Sequence, residues 1–175
     1  MSDSWQEDDD LPTMSDRWQE IEKMIVQADP FVRLENNGDK IVGAFCDDPY
    51  AYERVLVNGR YEVLVIGNTA HAGLRSNLRV MLNFYVPALA TTKVIEGGVT
   101  WFKDVLKVRE KYGLDKWLFE IERHGESGDP MASFSILPEE RIDDRMQERI
   151  ENAMRHDLKS LEGSYEGWSR FMDGV

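Results

Sequence analysis

One cysteine in 175 residues, Cys46, rules out an internal disulfide and fits a reducing compartment. Three histidines, His71, His124 and His156, stand far apart in the chain. None forms the close pairs that a structural zinc site needs, so no metal is expected. No apolar run approaches the roughly 18 residues of a membrane span. The start, Met1-Ser-Asp-Ser-Trp-Gln-Glu-Asp-Asp-Asp10, is acidic where a secretion signal is basic and then apolar. Together these absences predict a cytoplasmic protein without membrane contact. Catalytic signatures are scarce too. There is no nucleophile elbow, phosphate loop or dinucleotide fingerprint. Asp47-Asp48 reads as a solvated turn rather than a cation site. His124 with Glu126 has no nucleophile tied to it by sequence. The expectation is a protein that is not an enzyme and carries no cofactor.

Charge is plentiful but uneven. The net charge is −12. Residues 1–30 carry nine acids and two bases, residues 31–137 carry fourteen and thirteen, and residues 138–175 carry ten and six. Within 50–95 the balance reverses: Arg54, Arg60, Arg75, Arg79 and Lys93 face only Glu53 and Glu62. An acidic chain does not coat duplex DNA by charge alone, but it can hold a local cationic groove.

The pattern along the chain divides it into four stretches. Residues 1–14 form an acidic tail expected to be disordered, with Trp5 as its one large ring. Residues 15–30 form a short helix, with Ser15 as N-cap and Trp18, Ile21, Ile25 and Ala28 on one stripe. Asp29-Pro30 ends it. Residues 31–138 alternate like short strands. The pieces are Phe31–Leu34, Lys40–Cys46, Tyr50–Val57, Tyr61–Ile66, Leu78–Val86, Thr92–Glu96, Trp117–Arg123 and Met131–Leu137. Asn58-Gly59 is the strongest hairpin turn. Gly43 marks a bulge or bend. One helix, from Gly97-Gly98 to Tyr112 with Gly113 as its stop, interrupts the strands. Residues 139–175 hold a long amphipathic helix opened by Pro138, with Ile142, Met146, Ile150, Leu158 and Leu161 in register. It packs on the strands or pairs with a second copy, which leaves a homo-oligomer open. Beyond it, Tyr165, Trp168 and Phe171 form an aromatic tail. The fold class expected is mainly β with helices, α+β, built as a small antiparallel OB-type barrel with an inserted helix and a C-terminal helix.

In Leu78–Val86, Leu78, Val80, Leu82, Phe84 and Val86 share the core side of a strand, and Arg79, Met81, Asn83 and Tyr85 share the other. Tyr50, Tyr52 and Arg54 likewise share one side. Cations interleaved with rings on an outer face suit single-stranded nucleic acid, where bases stack and phosphates pair. The contrasting expectation is an ordinary solvent face.

The order Gly38-Asp-Lys-Ile-Val-Gly-Ala-Phe45, Asp48-Pro-Tyr50, Leu78–Val86, Lys93-Val-Ile-Glu-Gly-Gly-Val-Thr-Trp-Phe-Lys103, Lys111-Tyr-Gly113, Phe119-Glu-Ile-Glu-Arg-His-Gly125, Gly128-Asp-Pro130 and Ser135-Ile-Leu-Pro138 resembles tailed-phage single-stranded DNA-binding proteins with an OB fold. The resemblance covers roughly residues 31–138. It implies a non-enzymatic protein of DNA replication or recombination with low sequence specificity. Lys40, Arg54, Arg75, Arg79 and Arg123 would meet phosphates. Tyr50, Tyr52, Tyr85 and Trp101 would stack bases, with Asn83 beside them. The acidic N-terminal tail or the aromatic C-terminal tail would recruit replication or recombination proteins. The zinc-binding cysteines that some relatives carry near 67–77 are missing here, and the densest acid run is N-terminal rather than C-terminal. The competing expectation is an acidic interaction module, an accessory or inhibitor protein that mimics nucleic acid.

Overall fold

The computed structural model describes residues 14–165. The chain divides into two units, one up to Pro30 and one from Phe31 onward. The first contributes a single helix, α1, Met14–Ala28. Of the expected tail, Met14 belongs to α1, and residues 1–13 lie outside the described residues, as do Trp168 and Phe171.

The second unit is built on a six-stranded antiparallel sheet. Its strands are β1 Lys40–Val57, β2 Arg60–Val63, β3 Ser76–Val86, β4 Thr91–Gly97, β5 Trp117–His124 and β6 Ser133–Arg141. They run in the order β4-β3-β1-β5-β6, with β2 folded back on the end of β1. Helix α2, Val99–Tyr112, sits between β4 and β5 in the chain, and α3, Asp144–Asn152, follows β6. The α+β class is therefore as expected.

The expected barrel is not closed. β4 and β6 end the path and do not pair. The edge of β4 that would close it is taken by Phe31, bridged in parallel to Val94, and by Val32, whose N–H donates to the Val94 carbonyl at 2.8 Å. That is also the fate of the expected Phe31–Leu34 strand: among the described residues it is a single bridge, not a hairpin arm.

β1 is one strand where two were expected. It pairs with β5 over Lys40–Gly43 and with β3 from Ala44 to Val55. Asp47-Asp48-Pro49 is a bulge inside it rather than a turn, with Asp47 at φ +60°. The bulge absorbs a Pro that cannot donate to a ladder. At its far end Asn58 and Gly59, both at positive φ, turn the chain so that Val57 faces Arg60, which is the hairpin the dipeptide predicts. Pro138 does not open a helix. It lies within β6, opposite Phe119, on the outermost strand of the path, where a missing N–H is tolerated. The long C-terminal helix shrinks to α3, capped by the Asp143 carboxylate accepting from Met146 N–H at 2.7 Å.

Both faces of the sheet carry buried clusters. On one, Phe45, Leu82, Phe84, Val86 and Ile95 meet Trp101, Val105 and Val108 of α2, with Phe119, Ile121 and Ile136. On the other lie two smaller clusters. Tyr52, Met81 and Val94 pack with Phe31 and Leu158; Ala44, Cys46, Tyr85 and Leu118 pack with Ile150. Residues 142–165 supply the lid of both. β3 is therefore a strand with two cores, buried on every side from Arg79 to Val86.

Candidate nucleic-acid face and its cover

The bulge in β1 and the register with β3 decide what the second face carries. Across the pair, Tyr50 stands opposite Met81, Tyr52 opposite Arg79, Cys46 opposite Asn83 and Ala44 opposite Tyr85. From β4, Glu96 stands opposite Met81 and Thr92 opposite Tyr85. Tyr50, Tyr52, Arg79, Asn83 and Tyr85 thus share one face, as alternation predicts, and Arg54 continues the series along β1.

That face is not the open groove expected of it. Tyr52, Arg54, Arg79, Asn83 and Tyr85 are all buried. The cover is the chain's own C-terminal segment. The Asn83 amide donates to the His156 carbonyl at 3.2 Å and accepts from the His156 N–H at 3.0 Å. The His156 ring Nε2 reaches the Thr92 carbonyl at 2.7 Å. Arg155 pairs with Asp47 at 2.8 Å, and Tyr50 donates to Glu162. Arg149 stands 6.0 Å from the Tyr85 ring centre. Ile150 and Leu158 are the buried apolar anchors. Residues 142–165 carry six acids and four bases, a negative cover on a face with two arginines.

Under the cover lies a polar network. Arg79 donates to Glu96 from Nε at 3.2 Å and from Nη2 at 3.1 Å, and Tyr52 donates to the other Glu96 oxygen at 2.7 Å. Burial first, then the Glu96 carboxylate, pushes the Tyr52 hydroxyl well above its ordinary range. Arg54 lies over the Tyr61 ring, 3.8 Å from its centre. Glu96 and His156 were not among the sequence-predicted site residues. An acid on the outer side of β4, beside an outer-side Arg on β3, was the available signal for the first. Nothing local marks the second.

The other expected residues lie elsewhere. Trp101 faces the α2 core, against Gly97, where a Cβ would stand 2.7 Å from the indole. The α2 core stripe is accordingly Trp101, Val105 and Val108, while Val99 and Leu106 are exposed. Arg123, fully buried, ties down the next loop by donating to the Gly125 carbonyl at 2.9 Å and the Glu126 carbonyl at 2.8 Å. Lys40 and Arg75 are exposed, and Tyr50 is half-buried. His124 lies 2.8 Å from Ser135 Oγ and 3.6 Å from Glu122, but both approach the same ring nitrogen, Nε2. A relay needs the acid on the opposite nitrogen, so this trio lacks triad geometry. Among the described residues no group of His, Cys, Asp and Glu could hold a metal ion, and no helix is long and apolar enough to cross a membrane.

Comparison with protein-family models, curated proteins and solved structures finds no match for this chain.

The cover also carries a pH dependence. Burial pushes the Tyr165 hydroxyl from its ordinary 10 up to about 12. The folded state therefore favours the neutral phenol. Its contribution is intact below pH 10 and is lost as pH rises toward 12. Alkaline titration followed by near-ultraviolet circular dichroism should show the fold weakening across that window, and Tyr165→Phe should make the response shallower, leaving the part that the buried Tyr52 hydroxyl contributes.

Proposed function

We propose that this chain binds single-stranded DNA on the face of β1, β3 and β4, and that residues 142–165 must move off for it to do so. The reading is that of a non-enzymatic, low-specificity protein of phage-type replication or recombination, working in the host cytoplasm. The observation that carries it is the chemistry under the cover. Two arginines, an amide and three tyrosines line adjacent strands, where a sheet built only for stability would place apolar side chains. A buried ion pair is often no better for stability than a hydrophobic replacement. In OB folds the face of the second and third barrel strands receives oligonucleotides. The strand path here, with its helix between β4 and β5, suits an OB-type sheet left open, and β3 and β4 hold those places.

The energies are commensurate. Each of the anchors Ile150 and Leu158 contributes roughly 1.5–3 kcal/mol by burial. A stacked base is worth roughly 1–3 kcal/mol. A few bases on the tyrosines, with phosphates on the arginines, can therefore displace the segment.

The test is a polarisation titration of labelled oligo-dT with the full chain at low salt. Ile150→Asp combined with Leu158→Asp should tighten binding at least about tenfold, the equivalent of about 1.4 kcal/mol. Affinity should fall steeply with added salt. Failure of both proteins to bind oligo-dT, or equal affinity for duplex, would overturn the reading.

A further inference from the structure

Each of the two units exposes apolar side chains. On α1, Trp18, Ile21 and Met24 are 65%, 51% and 67% exposed. Residues three apart on a helix lie about 60° apart around its axis, so the three form one stripe. At about 100° per residue Glu20 and Glu22, both exposed, border the stripe, and α1 holds these two and Asp16 against Arg17 and Lys23. A helix of this length standing alone is marginal in water and gains from a partner for its apolar side.

The second surface is the loop after β2. His71 is buried at its centre and holds it in shape. Its Nδ1 accepts from the Val65 N–H at 3.1 Å, its Nε2 pairs with Glu62 at 2.7 Å, and its carbonyl accepts from the Leu74 N–H at 3.3 Å. Around this pin Val65, Ile66 and Leu74 face solvent, Ile66 at 98% exposure. The three aliphatic side chains are thus presented on a hydrogen-bonded loop rather than a frayed tip. Arg60 and Arg75, both exposed, flank it, and the acid nearest in sequence, Glu62, is engaged by His71.

We propose that α1 of one copy docks on the 64–75 loop of a second copy, joining chains head to tail. The apolar stripe meets the aliphatic loop, and Glu20 and Glu22 meet Arg60 and Arg75. Because the two surfaces differ, the joint is heterologous, and each added copy leaves a free helix at one end and a free loop at the other. The inference does not rest on the nucleic-acid reading and is tested without nucleic acid.

Sedimentation velocity of the full chain should show an average size that grows with protein concentration and shrinks with salt. Ile21→Glu and Ile66→Asp both fall on exposed side chains, and each alone should abolish the growth. Mixed in equal amounts, the two variants should form a one-to-one pair that grows no further, because one supplies an intact loop and the other an intact helix. A wild-type chain that stays monomeric at every concentration, a variant that still assembles alone, or a mixture that fails to pair would each overturn the proposal.

Discussion

Arg79→Met should destabilise the protein by about 3–5 kcal/mol, the usual result of removing one partner from a buried ion pair. Both side chains are sealed, Arg79 at 3% and Glu96 at 1% exposure. Without the guanidinium, Glu96 keeps the Tyr52 hydroxyl at 2.7 Å. A carboxylate held there has lost its hydration and its counter-charge together. Urea unfolding should show the midpoint falling with an unchanged slope. The triple change Arg79→Met, Glu96→Leu and Tyr52→Phe removes the whole polar set at once and should return to within about 1–2 kcal/mol of the native chain, because well-packed apolar groups often replace such a set at little cost. The pair of results separates two roles. A triple variant that folds well and still binds oligo-dT as tightly as its parent would show that the network is not part of a binding face. One that folds well and binds poorly would tie the network to ligand.

The parts legible in the sequence were those fixed by local chemistry. Asn58-Gly59 demanded positive φ twice in succession and made its hairpin. Gly98 and Gly113 bounded α2. Period-two alternation placed Arg79, Asn83 and Tyr85 on one side of β3, and the β1 register put Tyr50 and Tyr52 beside them. Alternation says which side chains share a face. It does not say what lies above that face. The spacing of Ile142, Met146, Ile150 and Leu158 showed a segment with something to bury. It also suited a partner helix, and an unbroken one, whereas the structure ends α3 at Asn152 and carries Leu158 across on irregular backbone held by Asn83 and Thr92. Those bonds join residues more than 60 positions apart, and no local pattern encodes them. Asp47-Asp48-Pro49 misled for a related reason. Its composition is that of a turn, but both flanks pair with the same strand, β3, so the triplet became a bulge instead.

Gly43→Val should cost about 3 kcal/mol or more, and an insoluble product is the extreme form of the same result. Gly43 is the residue at which β1 changes partner: it faces Phe119 of β5, while the next residue, Ala44, faces Tyr85 of β3. A side chain there would collide with the Tyr85 carbonyl and stand 2.6 Å from Cε1 of Phe84. The carbonyl belongs to the ladder and the ring to the densest part of the core, so neither retreats by a rotamer change. Overpacking alone costs roughly 1–3 kcal/mol where the surroundings can shift, and here the first obstacle is backbone. Gly43→Ala should show most of the same loss, since the Cβ itself is the clash. At Gly38, by contrast, a Cβ would meet nothing within 4 Å, so Gly38→Ala bears only the strain of its φ of +84° and should lose far less. Thermal unfolding of the three variants side by side checks the order. Gly38→Ala falling as far as Gly43→Val would mean that the close approach of β1 to β3 is not what requires glycine there.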